Sequence, residues 1–252
     1  QIEAEGRQAR PDEQEILSRY VGWGGIPQAF DEKNTQWSEE YRQLKELLTE
    51  KEYDAARSST LNAHYTSPTV IRAMYDAIEK MGFRTGNVLE PSCGVGNFFG
   101  MLPDDMSGSR LYGVELDSIT GRIARQLYPG ARITISGFEK TQRRDFFDLA
   151  IGNVPFGGYK VSDKQFDKYN FLIHDYFFAK TLEQVRPGGV IAYITSKGTM
   201  DKASPDVRRY IAQRAELLGA IRLPNTAFAA NAGTSVTTDI LFLQKRESPI
   251  DI

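Results

Sequence analysis

Two short segments carry most of the chemistry legible in this chain. Leu89-Glu90-Pro91-Ser92-Cys93-Gly94-Val95-Gly96-Asn97-Phe98 reads as a strand that runs into a glycine-rich turn and opens a helix. Downstream, Asp148-Leu149-Ala150-Ile151-Gly152-Asn153-Val154-Pro155-Phe156 reads as a strand ending in a polar amide, a proline and an aromatic ring. In the first segment Gly94 and Gly96 lack a Cβ, so the backbone can turn sharply and approach a ligand closely. The pattern departs from the dinucleotide fingerprint, because it opens with Glu-Pro and lacks the three-glycine spacing. Glu90 would repel a pyrophosphate and suits a nucleoside cofactor with a cationic amino-acid end. Taken alone, such a turn equally well joins a strand to a helix with no ligand at all.

The second segment supplies what a planar amine needs. The Asn153 Oδ1 and a backbone carbonyl, that of Val154, can accept both protons of an NH2 group. That interaction draws the nitrogen toward tetrahedral geometry and frees its lone pair to attack a methyl sulfonium. Phe156 offers a ring face for a base rotated out of its duplex. Such a transfer asks for orientation and a dry pocket more than for acid–base groups. Between the two segments, Tyr112-Gly113-Val114-Glu115-Leu116-Asp117 ends a strand in two carboxylates. Glu115, about 20 residues past the glycine turn, is placed to take both hydroxyls of a ribose, and Asp117 to cap the next helix. In this order, the three segments predict methyl transfer from S-adenosylmethionine to an amino nitrogen.

The elements that must position these residues alternate. Ser67-Pro68 is a helix start, and the helix through Met81 turns Val70, Ile71, Met74 and Ile78 inward before Gly82 stops it. Strands are predicted at Asn87–Glu90, Arg110–Glu115, Arg132–Ile135, Phe147–Gly152, Val190–Thr195, Gly219–Leu223 and Asp239–Gln244. Helices fit between them at Asn97–Leu102, Ser118–Tyr128, Phe171–Val185 and Ser204–Leu217. This alternation predicts an α/β fold with an open, mostly parallel sheet and helices on both faces. Ligands of such sheets bind at the carboxyl ends of the strands, which gathers Glu90–Gly96, Glu115–Asp117, Ser136–Glu139 and Asn153–Phe156 around one crevice. The first sixty residues differ. Asp12–Tyr20, Ser38–Leu48 and a capping box from Thr49 predict a helical extension over 1–60, ahead of a catalytic domain over 61–252.

Composition limits the alternatives. The 252 residues carry 31 Lys and Arg against 33 Asp and Glu, so any nucleic-acid contact needs a local patch. One cysteine excludes an internal disulfide and fits a reducing cytoplasm. Cys93, His64 and His174 are too scattered to propose a metal site. No apolar run approaches the ~20 residues of a membrane span. Lys160, Lys164 and Lys168, interleaved with Tyr159, Phe166 and Tyr169, follow the amine-binding loop and could contact phosphates. The same stretch reads equally as a solvated loop in which Asp163 and Asp167 offset the lysines. Gln1 in place of an initiator Met suggests a piece of a longer polypeptide.

His64-Tyr65-Thr66-Ser67-Pro68, the Glu90-to-Phe98 turn, Gly113-to-Asp117 and Asn153-to-Phe156 occur in a familiar order. So do Arg186-to-Ile194, Ile221-to-Pro224 and Asp239-to-Leu243. Over roughly residues 60–246 the chain resembles gamma-class N6-adenine DNA methyltransferases, which include type I restriction modification subunits and the Taq adenine methylase. The preface, with its Tyr-Val-Gly-Trp-Gly-Gly phrase, resembles that of methylase domains in very large phage and conjugative-element proteins, often fused to helicases. The resemblance implies a Rossmann-like S-adenosylmethionine-dependent methyltransferase fold with a seven-stranded sheet. It assigns the cofactor site to Tyr65, Thr66, Glu90, Pro91, Ser92, Cys93, Gly94, Gly96, Phe98, Glu115, Leu116 and Phe138. Leu116 and Phe138 would cover the two faces of the cofactor's adenine ring. Asn153, Val154, Pro155 and Phe156 would hold a target adenine in DNA, with sequence recognition residing in other domains or subunits.

Two positions depart from that pattern. Val154 stands where most relatives have proline, which predicts a looser loop. Gly137 stands where many relatives have the aspartate that reads the cofactor's amino group, leaving Glu139 to reach in or the contact to be lost. Methylation of RNA or of a protein glutamine amide, and a weakened methylase-like domain that only binds nucleic acid, are the competing expectations.

Overall fold

The computed structural model describes residues 1–60, 66–228 and 237–252. In chain order the helices are α1 (Pro11–Ser18), α2 (Ser38–Leu47), α3 (Glu50–Ser59), α4 (Pro68–Lys80), α5 (Asn97–Gly100), α6 (Ser118–Leu127), α7 (Ile173–Gln184), α8 (Gly198–Asp201) and α9 (Asp206–Arg214). The strands are β1 (Asn87–Glu90), β2 (Arg110–Glu115), β3 (Arg132–Ile135), β4 (Phe147–Asn153), β5 (Val185–Ser196), β6 (Ala215–Arg222) and β7 (Thr238–Lys245). They form one sheet in the order β3-β2-β1-β4-β5-β7-β6. The pairs from β3 to β5 are parallel, and β7 inserts antiparallel between β5 and β6.

Helices cover both faces, as the alternation predicts. Ile71, Met74, Tyr75 and Ile78 of α4 pack with Phe98, Leu149 and Ile151 on one side. Tyr176, Phe177 and Phe178 of α7 and Tyr210 of α9 pack with Leu89, Ala150 and Ile191 on the other. The caps behave as their chemistry demands. Ser67 accepts from the Val70 N–H at 3.4 Å, and Asp117 accepts from Ile119 and Thr120 at the start of α6.

Several boundaries differ from the sequence reading, and three have a clear physical reason. β5 begins at Val185, five residues early, because Arg186-Pro187-Gly188-Gly189 continues the strand through a register shift between Phe147 and Leu149. α9 stops at Arg214, where pairing of Ala215 with Lys245 turns the chain into β6. α5 is a single turn rather than a helix reaching Leu102.

The preface has its own small core of Ala29, Phe30, Tyr53 and Ala56 and lies along α6. Arg122 of α6 holds both Glu3 and Glu52. The Ala9 N–H donates to the Gln126 Oε1 at 2.8 Å. Trp23 packs edge-on against Tyr20 and Phe30 and donates its indole N–H to Asp117 at 3.3 Å. We expect Trp23→Ala to destabilise the chain by about 2 kcal/mol, roughly half the effect of truncating a fully buried aromatic ring. Urea unfolding checks this; an unchanged midpoint would mean the preface is only loosely applied.

Candidate active site

Strand order reverses between β1 and β4, so a crevice opens beyond their carboxyl ends. Pairing of Leu89 with Ala150 brings Glu90 and Asn153 to the same rim. The crevice is a cavity of about 690 Å³, inside the range of roughly 300–1,000 Å³ usual for small-molecule sites. Thr66, Glu90, Pro91, Ser92, Gly94, Glu115, Leu116, Phe138, Asn153 and Pro155 line it. The four segments that the sheet rule gathers therefore meet in one space.

Electrostatics differ sharply along this wall. Glu90 is 2 % exposed and its Oε2 lacks a hydrogen-bond partner. Burial pushes its carboxyl well up, and the charge of Glu115 adds to the effect. Glu115 Oε2 accepts from the Gly94 N–H and Oε1 from the Asp117 N–H, each at 2.9 Å. Burial outweighs those two donors and pushes the Glu115 carboxyl up to about 7. Both oxygens keep a lone pair for a further donor. Leu116 is 58 % exposed, an apolar side chain left bare beside the carboxylate.

At the opposite end, the Asn153 Nδ2 donates to the Thr66 hydroxyl at 3.1 Å. That bond fixes the amide and leaves Oδ1, shielded from solvent, with no donor. An orphaned acceptor of this kind costs about 1–3 kcal/mol. Val154 turns its side chain into the core, at 1 % exposure, and its N–H donates to the Ile194 carbonyl at 3.1 Å. The looser loop expected from valine is therefore not found. A proline here would lack the N–H that ties the loop to β5.

The glycine turn divides its labour. Gly94 has φ +55° and open space where a Cβ would stand, so it borders the cavity. Gly96 has φ +92°, and a Cβ there would lie 2.6 Å from the Tyr128 ring; it serves packing rather than ligand contact. Cys93 also lines the cavity, and it packs in a cluster with Phe99, Ala124 and Ile133. Phe98 lines the cavity as well and is otherwise core, its carbonyl accepting from the Tyr75 hydroxyl at 2.8 Å. Phe156 is half-buried and stands next in the chain after the lining residues. Tyr65 and His64 lie outside the described residues.

Several lining residues that the sequence does not signal come from the preface. Tyr20, Val21, Gly22, Ser58 and Ser59 close one side of the cavity. The Tyr20 hydroxyl hydrogen-bonds the Thr120 hydroxyl at 3.3 Å, which docks this wall on α6. Their only signal was the Tyr-Val-Gly-Trp-Gly-Gly phrase, read above as a resemblance and not as a wall. Ile173 and Phe177 of α7 close the opposite side.

The lysine segment after the loop is held from beneath. Phe166 is buried, and Asp163 accepts from the Tyr176 hydroxyl at 2.8 Å and from Lys180 at 3.0 Å. Asp163 thus spends its charge inward, while Lys160, Lys164 and Lys168 remain exposed. Among the described residues no His, Cys, Asp and Glu group could hold a metal ion. No described helix is long and apolar enough to cross a membrane.

A parallel sheet with an antiparallel last hairpin, crevice and strand-end acids together define the S-adenosylmethionine-dependent methyltransferase fold. The chain belongs to the N-6 DNA Methylase family, whose model matches residues 46–250. It is 32% identical over 193 residues to the Defense against restriction protein B of Escherichia phage P1, covering 74% of this chain and 8% of that protein. A type II methyltransferase of Paramecium bursaria Chlorella virus XZ-6E is 36% identical over 81 residues, covering 31% of this chain and 21% of that enzyme. Among solved structures, one described as the modification subunit of a type I restriction enzyme from Vibrio vulnificus YJ016 superposes with a TM-score of 0.62. It is 19% identical, and the match covers 85% of this chain and 49% of that one. The chain thus spans about a twelfth of the phage protein and a fifth of the viral enzyme.

Proposed function

We propose that this domain transfers the methyl group of S-adenosylmethionine to the N6 amino group of adenine in DNA, with the base turned out of its duplex. The observation that carries this reading is the buried Asn153 Oδ1, oriented by Thr66 and lacking a donor at the carboxyl end of β4. An amino group of the target base supplies that donor, and the Val154 carbonyl accepts its second proton. Accepting both protons shifts the nitrogen lone pair out of conjugation with the ring and toward the cofactor side of the cavity. Pro155 and Phe156 bound the base on its flank.

The remaining wall fits S-adenosylmethionine. When bound, it supplies an electrophilic methyl group on a sulfonium. Glu90, once ionised, provides the counter-charge for the amino-acid end, and Glu115 accepts from the ribose hydroxyls. Leu116 and Phe138 flank the adenine ring, with the preface residues Tyr20 and Val21 shutting out water. The exposed lysines of 160–168 face the phosphates of the strand that enters. Recognition of a sequence, and partners such as a helicase, belong to further domains or subunits of a longer protein.

The test is a calorimetric titration with S-adenosylmethionine, followed by incubation with unmethylated DNA and mass spectrometry of its nucleosides. We expect micromolar binding and N6-methyladenine in the digest. Binding without any DNA product, but with methylated RNA or glutamine, would overturn the substrate. Absence of binding in a folded sample would overturn the enzyme.

A further inference from the structure

The phrase Tyr20-Val21-Gly22-Trp23 does more than border the cavity. Both of its aromatic residues hydrogen-bond into the turn that ends β2, and both bonds lead to Asp117. The Asp117 side chain is 1 % exposed, a burial that an acidic group tolerates only where donors meet it. Its Oδ1 accepts from the Ile119 N–H at 3.1 Å, and its Oδ2 from the Thr120 N–H at 3.3 Å and from the Thr120 hydroxyl. The Trp23 indole N–H joins them on Oδ2 at 3.3 Å, arriving from 94 residues earlier in the chain. The Thr120 proton is engaged by Asp117, so the Tyr20 hydroxyl, 3.3 Å from the Thr120 oxygen, is the donor of that pair. Burial pushes the Tyr20 phenol above its ordinary range, the charges of Asp117 and Glu115 add to the effect, and the group stays a donor.

What Asp117 holds in turn is Glu115. The Asp117 N–H donates to Glu115 Oε1 and the Gly94 N–H to Oε2, so the carboxylate hangs between two backbone donors. One donor belongs to the glycine turn. The other belongs to a residue whose own side chain the preface grips. Release of the indole frees Asp117 to rotate, which carries its N–H away from Oε1 and lets the Glu115 carboxylate turn. Elsewhere the preface meets α6 through half-exposed ion pairs of Arg122 with Glu3 and Glu52, which contribute little to docking. The Trp23 and Tyr20 bonds are the part of the docking that reaches the cavity.

We propose that Trp23 and Tyr20 are positioning residues for the cofactor: acting through Asp117, they hold Glu115 in the rotamer that meets the ribose hydroxyls. The inference rests on reading Glu115 as the ribose acid of an S-adenosylmethionine site. Docking of the preface and affinity for the cofactor are then linked, and each strengthens the other by the same factor.

The experiment is calorimetric, at pH 8, above the value of about 7 that burial sets for Glu115. The ligands are S-adenosylhomocysteine and its 2′-deoxy counterpart. The wild-type chain is expected to bind the ribose compound about 10- to 100-fold more tightly, the span of one hydrogen bond to a charged acceptor. Trp23→Phe keeps a ring in place and deletes the N–H, and should shrink that preference about 3- to 10-fold. Tyr20→Phe keeps its ring beside the cavity and should shrink it by a smaller factor, because its bond reaches Asp117 through Thr120. Far-UV circular dichroism checks that each variant folds, and Tyr20→Phe carries the test if Trp23→Phe does not. A merely structural role weakens both compounds alike; an unchanged ratio in the folded variants would overturn the inference. In a Glu115→Gln background Trp23→Phe should leave the ratio where it is, and a further drop there would also overturn it. A wild-type chain that binds both compounds alike would remove the ribose role of Glu115 and this inference with it, while cofactor binding stands. Binding of neither compound by the wild-type chain would overturn the cofactor reading itself.

Discussion

Asn153→Ala is expected to lower the rate of N6-methyladenine formation by at least about 10²–10³, the effect of removing one well-placed polar group from a transition state. The loss should fall on kcat, because the wall proposed for the cofactor is built from β1, β2 and the preface. Affinity for S-adenosylhomocysteine, measured by calorimetry, should stay within about twofold. The stability of the variant is equally informative. Wild-type Asn153 leaves Oδ1 buried without a donor, and deleting that orphan removes a desolvation penalty of about 1–3 kcal/mol. The loss of the Thr66 contact offsets part of this. We therefore expect an unchanged or slightly raised melting temperature together with lost activity, the pattern of a site that trades stability for function. Asn153→Asp keeps an acceptor and should retain measurable activity. Undiminished methylation by Asn153→Ala would remove the residue from the reaction.

The second large effect is a pH dependence of cofactor binding. In the ligand-free chain, burial raises Glu90 and sets Glu115 at about 7. A ribose and a cationic amino-acid end both favour the ionised forms, so binding releases protons. Affinity should climb about tenfold per pH unit on account of Glu115 as pH rises toward 7, and above that value only the Glu90 proton is left to release. Calorimetry in buffers of different ionisation enthalpy counts the protons, and Glu115→Gln should lower the count by one and cut affinity at pH 8 about 100-fold. A flat profile from pH 5.5 to 8 would contradict the assignment. The same shift acts on folding with a defined sign. Glu115 titrates higher in the folded chain than its ordinary 4.5, so its stabilising contribution is complete below about 4.5 and is lost as pH rises through about 7. The loss amounts to about 3 kcal/mol for that one buried group. Saturating cofactor should restore it.

Much of this was legible in the amino-acid order. β1, β2 and β3 begin and end at the residues their apolar runs mark, since glycines or charges bound each of them. The acids and the amide at the strand ends follow from the sheet rule once those strands are known. Legibility failed where tertiary pairing overrode local pattern. Leu217 and Leu218 continue the helical spacing of α9, yet Leu217 lies in β6 and pairs with Leu243 of β7. Arg186-Pro187-Gly188-Gly189 has the composition of a loop and is nevertheless part of β5, with Gly188 at φ +76° absorbing the irregularity. Val154 was read as a missing proline, because the Ile194 carbonyl that holds its N–H lies forty residues away in the chain. The preface wall was the least legible. Nothing in Tyr20-Val21-Gly22 signals a cavity whose nearest anchor, Thr120, is 100 residues downstream.

That docking also orders events during synthesis. The preface leaves the ribosome well before its partners on α6: Glu3 and Arg122 are 119 residues apart. Closing so long a loop is slow compared with forming a local helix. Through that interval the Trp23 indole and the Phe30 ring have only the small preface core, with Tyr20, Ala29, Tyr53 and Ala56, to bury against. The nascent chain is then at its most exposed to chaperones and proteases. Completion of α6 ends the wait and fixes the preface side of the crevice, before the walls from 136–139, 153–155 and α7 are made.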